Sequence, residues 1–194
     1  MKKTLLFILL LLLIVTRLSS QITKITHKTV TLVEQRSIKL NGGGRAAFGG
    51  KSRTCIEIDL PKNTIEWYYC YTTSANENET SNLNLAVQLT SLLFPITAIL
   101  GSSGITQQLL SSIKIPAGSH VLDVYLIGGQ YVNSFLNKTN FNYEVGGSVE
   151  NTTQCTNMIQ NHNSGTWYLA LRNPSSLYAV NIKIEVVAIV EELE

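Results

Sequence analysis

From Thr54 to Thr73 the chain alternates apolar and polar residues on both sides of Pro61-Lys62-Asn63. Ile56, Ile58 and Leu60 precede the break, and Ile65, Trp67 and Tyr69 follow it. A period of two sends successive side chains to opposite faces of an extended strand, so this stretch predicts paired β-strands sharing an apolar face. With Lys62-Asn63 as a two-residue hairpin turn, Ile56 faces Tyr69, Ile58 faces Trp67 and Leu60 faces Ile65. The same register sets Glu57 against Tyr68, Asp59 against Glu66 and Cys55 against Cys70. Directly opposed antiparallel residues lie ~4.5–5.5 Å apart at Cα, within disulfide reach. A Cys55–Cys70 bridge is therefore one expectation, and two free or differently paired thiols are the other. Asp59 opposite Glu66 is a charge conflict that only a wet face tolerates.

The alternation returns downstream. Leu122, Val124 and Leu126 form one inward set, and Trp167, Leu169 and Leu171 form another. Tyr178, Val180, Ile182, Ile184 and Val186 make the longest set, with Asn181, Lys183 and Glu185 on the opposite face. Lys28 to Leu40, broken at Glu34-Gln35, suggests two short strands. Ile113 to Ile115, Phe141 to Glu150 and Thr153 to Gln160 read as further strands, and Tyr131 to Leu136 as a short helical turn. Pro116-Ala117-Gly118 and Asn173-Pro174-Ser175-Ser176 are turn sequences. Many turn-separated strands with one buried and one solvated face predict a mainly β fold, an antiparallel sandwich or jelly roll. No internal repeat is evident.

The segment from Leu83 to Ser112 breaks this pattern. No charged residue occurs between Glu79 and Lys114, and Leu85, Leu89, Leu92, Leu93, Ile96 and Ile99 recur at helical spacing interrupted by Pro95. Gly101-Ser102-Ser103-Gly104 is a turn, with a second short helix over Ile105 to Ser112. The leading reading is a helical apolar insertion (residues 83–112) that covers the sheet. A segment (83–110) resting in or entering a membrane is the second. A full span is the third, diluted by Asn84, Gln88, Thr90, Ser91, Pro95 and Thr97.

Residues 1–20 read as a secretory signal. Lys2 and Lys3 precede the eleven apolar residues Leu5 to Val15, and small Ser20 stands before Gln21. Eleven residues at about 1.5 Å each fall short of a bilayer core. The expected mature chain, 21–194, is a single domain that is secreted or held in the periplasm or cell envelope. The 194-residue chain has a formal charge of +2 and only 14% charged residues. Of its 15 basic residues, Lys2, Lys3 and Arg17 lie in the signal, which leaves 12 against 13 acidic ones. The positive charge belongs to the targeting segment, so nucleic acid is not an expected partner. Export also places Cys55, Cys70 and Cys155 in an oxidising compartment, where an odd count leaves one thiol over.

Ile115-Pro116-Ala117-Gly118 before Asp123-Val124-Tyr125-Leu126, then Gly165-Thr166-Trp167-Tyr168-Leu169, and the Asn173-Pro174-Ser175-Ser176 turn into Val180 to Val186 carry a resemblance. They resemble the β-sandwich modules of secreted bacterial proteins, above all the bacterial pre-peptidase C-terminal domain and related GOLD-like folds. Leu60-Pro61-Lys62-Asn63 leading into Trp67-Tyr68-Tyr69 is similar to an earlier hairpin of such modules, so the resemblance spans about Thr29 to Val190. The Leu83 to Ser112 segment departs from them. The resemblance implies a non-catalytic appendage that aids folding, secretion or the binding of proteins and polysaccharides, and it carries no catalytic residue across.

Catalytic chemistry is hard to assemble from what remains. Gly44 to Ser52 has five residues between its first glycine and Gly50-Lys51-Ser52, where a phosphate-binding loop needs four. His120 and Asp123, three apart in a strand, point to opposite faces, and Ser119 is adjacent to His120 in sequence rather than paired with it. Cys155 and His162 lack zinc-ligand spacing, and Asp59 and Asp123 are too few for a calcium loop. No cofactor or metal is expected. The one positive feature is a candidate ligand surface of outward aromatics, Tyr68, Tyr168 and Tyr125 with Arg172; ordinary cross-strand packing is the alternative. Asn78, Asn137 and Asn151 begin acceptor sequences for N-glycosylation, relevant only in a eukaryotic source. The expected function is a secreted non-enzymatic module for protein or carbohydrate binding, or for structural support at the envelope. The alternative is a membrane-active protein that inserts 83–110 into lipid.

Overall fold

The computed structural model describes residues 25–76, 82–100 and 110–193. The expected signal peptide, the Asn78 acceptor and most of the second short helix lie outside the described residues. The strands are β1 (Ile25–Leu40), β2 (Arg53–Leu60), β3 (Thr64–Ser74), β4 (Leu122–Gly128), β5 (Glu144–Thr152), β6 (Gln154–Ile159), β7 (Gly165–Arg172) and β8 (Val180–Leu193). Among the described residues, helices α1 (Gly43–Ala46), α2 (Leu85–Leu100) and α3 (Val132–Leu136) join them. Sheet A has the order β1-β8-β3-β6 and sheet B the order β2-β7-β4-β5, and every pairing is antiparallel. The mainly β sandwich expected from the alternation is the fold observed.

The inward sets meet between the sheets. Ile56, Ile58, Leu122, Val124, Leu126, Leu169 and Leu171 belong to sheet B, and Trp67, Tyr69, Tyr71, Val180, Ile182, Ile184 and Val186 to sheet A; together they form one buried core. The core tyrosines reach its edge with their hydroxyls. Tyr69 donates to the Gly147 carbonyl at 3.0 Å and accepts from Asn157 Nδ2 at 3.2 Å. Burial of such rings requires that polar handle to be matched.

The hairpin expectation fails. β2 pairs with β7 and β3 pairs with β8 and β6, so Pro61-Lys62-Asn63 carries the chain from one sheet to the other. Cys55 therefore lies on the outer side of sheet B, and Cys70 lies on the outer side of sheet A beneath α2. Packed sheets stand ~10 Å apart, beyond the ~7 Å Cα limit for a disulfide. All three cysteines are free, which corrects the expected Cys55–Cys70 bridge. Two smaller expectations change as well. β1 is one strand, because Glu34-Gln35 sits in a register shift between Val33 and Arg36 rather than in a break. Ile113 to Ile115 is not a strand, and α2 runs through position 95.

The outer side of sheet A is not solvated. Leu83, Leu85, Leu89 and Leu93 bury against Tyr68, Val187 and Ile189, with Ile113 closing the cluster. The described start of the apolar segment thus covers the sheet. The carboxylate of Glu185, from the middle of β8, accepts the Leu85 N–H at 2.8 Å and the Ala86 N–H at 3.1 Å. These are amides that the first turn of a helix leaves without partners, and a carboxylate there also meets the positive end of the helix dipole. Gln88 fastens the returning chain, since its side chain accepts from the Lys114 N–H and donates to the Lys114 carbonyl. No helix among the described residues is long and apolar enough to cross a membrane.

Candidate functional site

Of the four residues expected to form a ligand surface, Tyr125, Tyr168 and Arg172 share one side of the sandwich and Tyr68 lies on the other. Tyr68 is fully buried on the sheet A side under α2, where its hydroxyl donates to Glu66. Tyr125, Tyr168 and Arg172 share the outer side of sheet B, because Tyr125 pairs with Ala170 between the other two along β7. Tyr125 is nonetheless buried, with the Phe135, Phe141 and Tyr143 rings packed against it at centroid distances of 6.1, 5.3 and 4.9 Å. Arg172 donates from Nε to Asp123 Oδ2 at 2.6 Å and lies 5.6 Å over the Tyr125 ring. Burial opposes its charge, but the hydrogen bond and charge of Asp123 more than offset this and raise its pKa. Tyr168 is half-buried and donates to Glu57 Oε2 at 2.8 Å, a bond that pushes the phenol pKa up.

Three partly or fully accessible rings line one end of the sandwich, where β4 ends, β5 begins and β7 begins. After Gly128 a single 3-10 turn, Gly129–Tyr131, folds the chain over the outer side of sheet B. The return strand enters through Phe141, Asn142 and Tyr143, whose aromatic rings are seated by the Tyr125–Phe135 cluster. These segments and the 164–167 segment enclose an open cleft of about 450 Å³. Tyr131, Tyr143 and Trp167 supply its rings, and Gln130, Asn142 and Glu144 supply its amides and carboxylate. Tyr143 is 40% exposed, and Asn142 donates to the Tyr131 hydroxyl at 3.1 Å.

His162 backs this cleft. Its ring stands 4.4 Å from Trp167 by centroids, its Nε2 lies 3.3 Å from Glu144 Oε2, and its carbonyl accepts from Trp67 Nε1 at 2.7 Å. A histidine beside a carboxylate is one half of an acid–base system. Among the described residues, however, no hydroxyl or thiol is hydrogen-bonded to His162, and Thr166 Oγ1 is turned to Asp59 at 3.2 Å. The His162–Glu144 pair orients the ring that packs on Trp167. Elsewhere, Ser119 Oγ does lie 3.1 Å from His120 Nδ1, which corrects the expectation that they are not paired in space. Asp123 is engaged by Arg172 and by the Asn151 N–H, so it is no partner for His120.

A second cleft, of about 580 Å³, lies at the other end of sheet B between α3 and the 46–53 loop. Cys55, Glu57 and Tyr168 line it, with Lys51, Arg53 and Lys138. Burial pushes the Cys55 thiol up to about 11, so it is held protonated and is a poor nucleophile. Arg53 is occupied structurally, donating to the Phe135 carbonyl at 2.6 Å. Burial and the neighbouring Arg172 charge lower its pKa. Among the described residues no three His, Cys, Asp or Glu side chains converge as a metal site.

The aromatic cleft was not among the sequence expectations. Gln130, Tyr131, Asn142, Tyr143, Glu144 and His162 sit in turns that only the strand order brings together. The available signal was the recurrence of a polar residue beside an aromatic one in successive turns, as in Gln130-Tyr131 and Asn142-Tyr143-Glu144. No protein-family model and no curated protein matches the chain.

Proposed function

We propose that this protein is a secreted, non-enzymatic β-sandwich module that binds polysaccharide through the cleft of Tyr131, Tyr143 and Trp167. The observation that carries the reading is the lining itself. Aromatic rings offer flat apolar faces to the C–H faces of a sugar ring, while amide and carboxylate groups take its hydroxyls. An open cleft between turns also suits a chain that continues beyond the site on both sides. The resemblance to secreted sandwich modules supports a binding role, as does the absence of a nucleophile aligned on His162 among the described residues. Against the membrane-active alternative stands the burial of Leu83, Leu85, Leu89 and Leu93 on sheet A.

Affinity electrophoresis through gels containing soluble glucans, xylan, mannan or chitin fragments tests this reading. At least one polysaccharide is expected to retard the protein, and Tyr143→Ala together with Asn142→Ala is expected to weaken the retention tenfold or more, about 1.4 kcal/mol. Because the Tyr143 ring also packs on Tyr125, retention is compared well below the melting temperature of the double variant, and Asn142→Ala alone serves as the milder change. Failure of the whole panel to retard the protein, or unchanged retention of the double variant, overturns the proposal. Release of new reducing ends from a retained polysaccharide, abolished by Glu144→Gln, overturns its non-enzymatic part.

A further inference from the structure

We propose that the end of the sandwich opposite the aromatic cleft docks on an anionic lipid surface. Phe48, Leu177 and Tyr178 enter the headgroup layer, and Arg45, Lys51 and Lys138 face its negative charge. This inference rests on different residues from the polysaccharide reading and does not depend on it.

The apolar side chains at this end are unusually open. Phe48 is 92% exposed, Leu177 78% and Tyr178 64%, although they stand on tightly built loops. The 41–51 loop is closed at its neck by the Asn41 N–H donating to the Lys51 carbonyl at 2.8 Å. It is joined to the neighbouring turn by the Gly43 and Gly44 N–H groups, which donate to Ser175 and Ser176 carbonyls at 2.9 Å each. A Cβ at position 42 would stand 2.9 Å from the Leu177 carbonyl carbon, so glycine is what lets the two backbones touch. Gly49, at φ +99°, turns the chain just after Phe48 in a conformation that disfavours other residues. Gly42, just before the stretch that looks like a phosphate loop, thus serves loop-on-loop packing.

The second tip is equally fixed. The buried Asn173 amide donates to the Leu40 and Tyr178 carbonyls at 3.3 and 2.8 Å, and its oxygen accepts from the Ser175 N–H at 3.0 Å. Ser175 Oγ then accepts from the Leu177 and Tyr178 N–H groups. Two rigid tips therefore hold large apolar side chains in water, where a folded chain gains nothing from them.

Their setting favours a lipid interface over a pocketed protein partner. Phe48, Leu177 and Tyr178 line neither of the two clefts on sheet B. In the segments 41–52, 137–140 and 173–179 the charged residues are Arg45, Lys51 and Lys138, all exposed and all basic. Lys51 and Lys138 line the same cleft as Ala46 and Gly50, the residues on either side of the Phe48 turn. Apolar tips ringed by cations complement an interface with acyl chains below and anionic headgroups above.

Sedimentation with vesicles tests the proposal, using protein recovered from the exported fraction so that every variant has the same N-terminus. The wild type is expected to bind phosphatidylcholine vesicles containing phosphatidylglycerol more tightly than phosphatidylcholine alone, and less tightly as salt rises. Phe48→Ser with Leu177→Ser is expected to weaken binding tenfold or more while leaving melting temperature and polysaccharide retention unchanged. Arg45→Glu with Lys51→Glu is expected to remove the preference for phosphatidylglycerol. No vesicle binding overturns the proposal in favour of a protein partner for the tips. Equal binding by wild type and the Phe48/Leu177 variant overturns it in favour of another lipid contact, such as residues 83–110. Equal binding to both vesicle types overturns its electrostatic half, and with it the anionic surface proposed.

Discussion

The outer sides of the two sheets end in opposite states. On sheet A, Tyr68, Cys70, Val187 and Ile189 are fully buried under the leucines of α2, and Glu185 closes the helix start. On sheet B, Cys55, Glu57 and Tyr168 stay partly or fully open, and the cover is a short turn of helix with an aromatic cluster. The strands and the cover differ together. A long apolar helix lies along a sheet and excludes water, whereas α3 spans only Val132–Leu136 and leaves a cleft at each end. A module that must keep one side stable and the other accessible is served by that asymmetry.

Leucine truncation should expose the contrast most strongly. Leu89→Ala removes a fully buried side chain from the α2–sheet A seam and is expected to cost about 2–5 kcal/mol of unfolding free energy in a denaturant titration. Leu136→Ala on the sheet B cover, where the side chain is 42% exposed, is expected to cost less than about 1 kcal/mol. Equal costs would break the comparison. Glu185→Ala leaves the Leu85 and Ala86 amides without their acceptor and is expected to cost about 1–3 kcal/mol, with Glu185→Gln between it and wild type. Hydrogen exchange at those two amides reports the same loss locally. Protection that survives Glu185→Ala means that the carboxylate does not hold the helix start.

The sandwich was legible because period-two alternation marks the inward residues of β2, β4, β7 and β8. Strand partners were not, because alternation looks the same in a hairpin and in a connection that crosses between sheets. The discriminating signal lay in Asp59 and Glu66, the charge conflict of the assumed hairpin. Asp59 is exposed and Glu66 is buried, accepting the Tyr68 hydroxyl and the Gln160 side chain, so the two strands have different surroundings. β3 is also apolar or aromatic on both faces from Trp67 to Tyr71, which marks a strand covered twice, whereas β2 carries charges on one face. Cysteine spacing misled for the same reason, since it was read through the pairing. The aromatic cleft was illegible for a topological reason: Tyr131, Tyr143 and Trp167 become neighbours only when β4, β5 and β7 are placed side by side.

Thiol reactivity probes the two sides with the smallest disturbance. Burial pushes Cys55 on sheet B and Cys155 on β6 up to about 11, and burial with the nearby Glu185 charge pushes Cys70 higher still. The thiolate is the reacting form, so alkylation of Cys55 is expected to rise about tenfold per pH unit up to pH ~11. Cys70 is expected to lag behind it and to react through opening of α2. Glu185→Ala should then speed Cys70 labelling and leave Cys55 unchanged. The sign for stability follows from the same groups. Unfolded thiols ionise from about pH 9 while folded ones stay neutral to about 11, so their contribution is fully present below pH ~9 and is lost as pH rises through 11. Peptide mapping with timed alkylation reads all three sites at once. Cys70 labelling as fast as Cys55, or a Cys55–Cys70 bridge in the unreduced map, would show that the two cysteines do not lie on opposite sides of the sandwich.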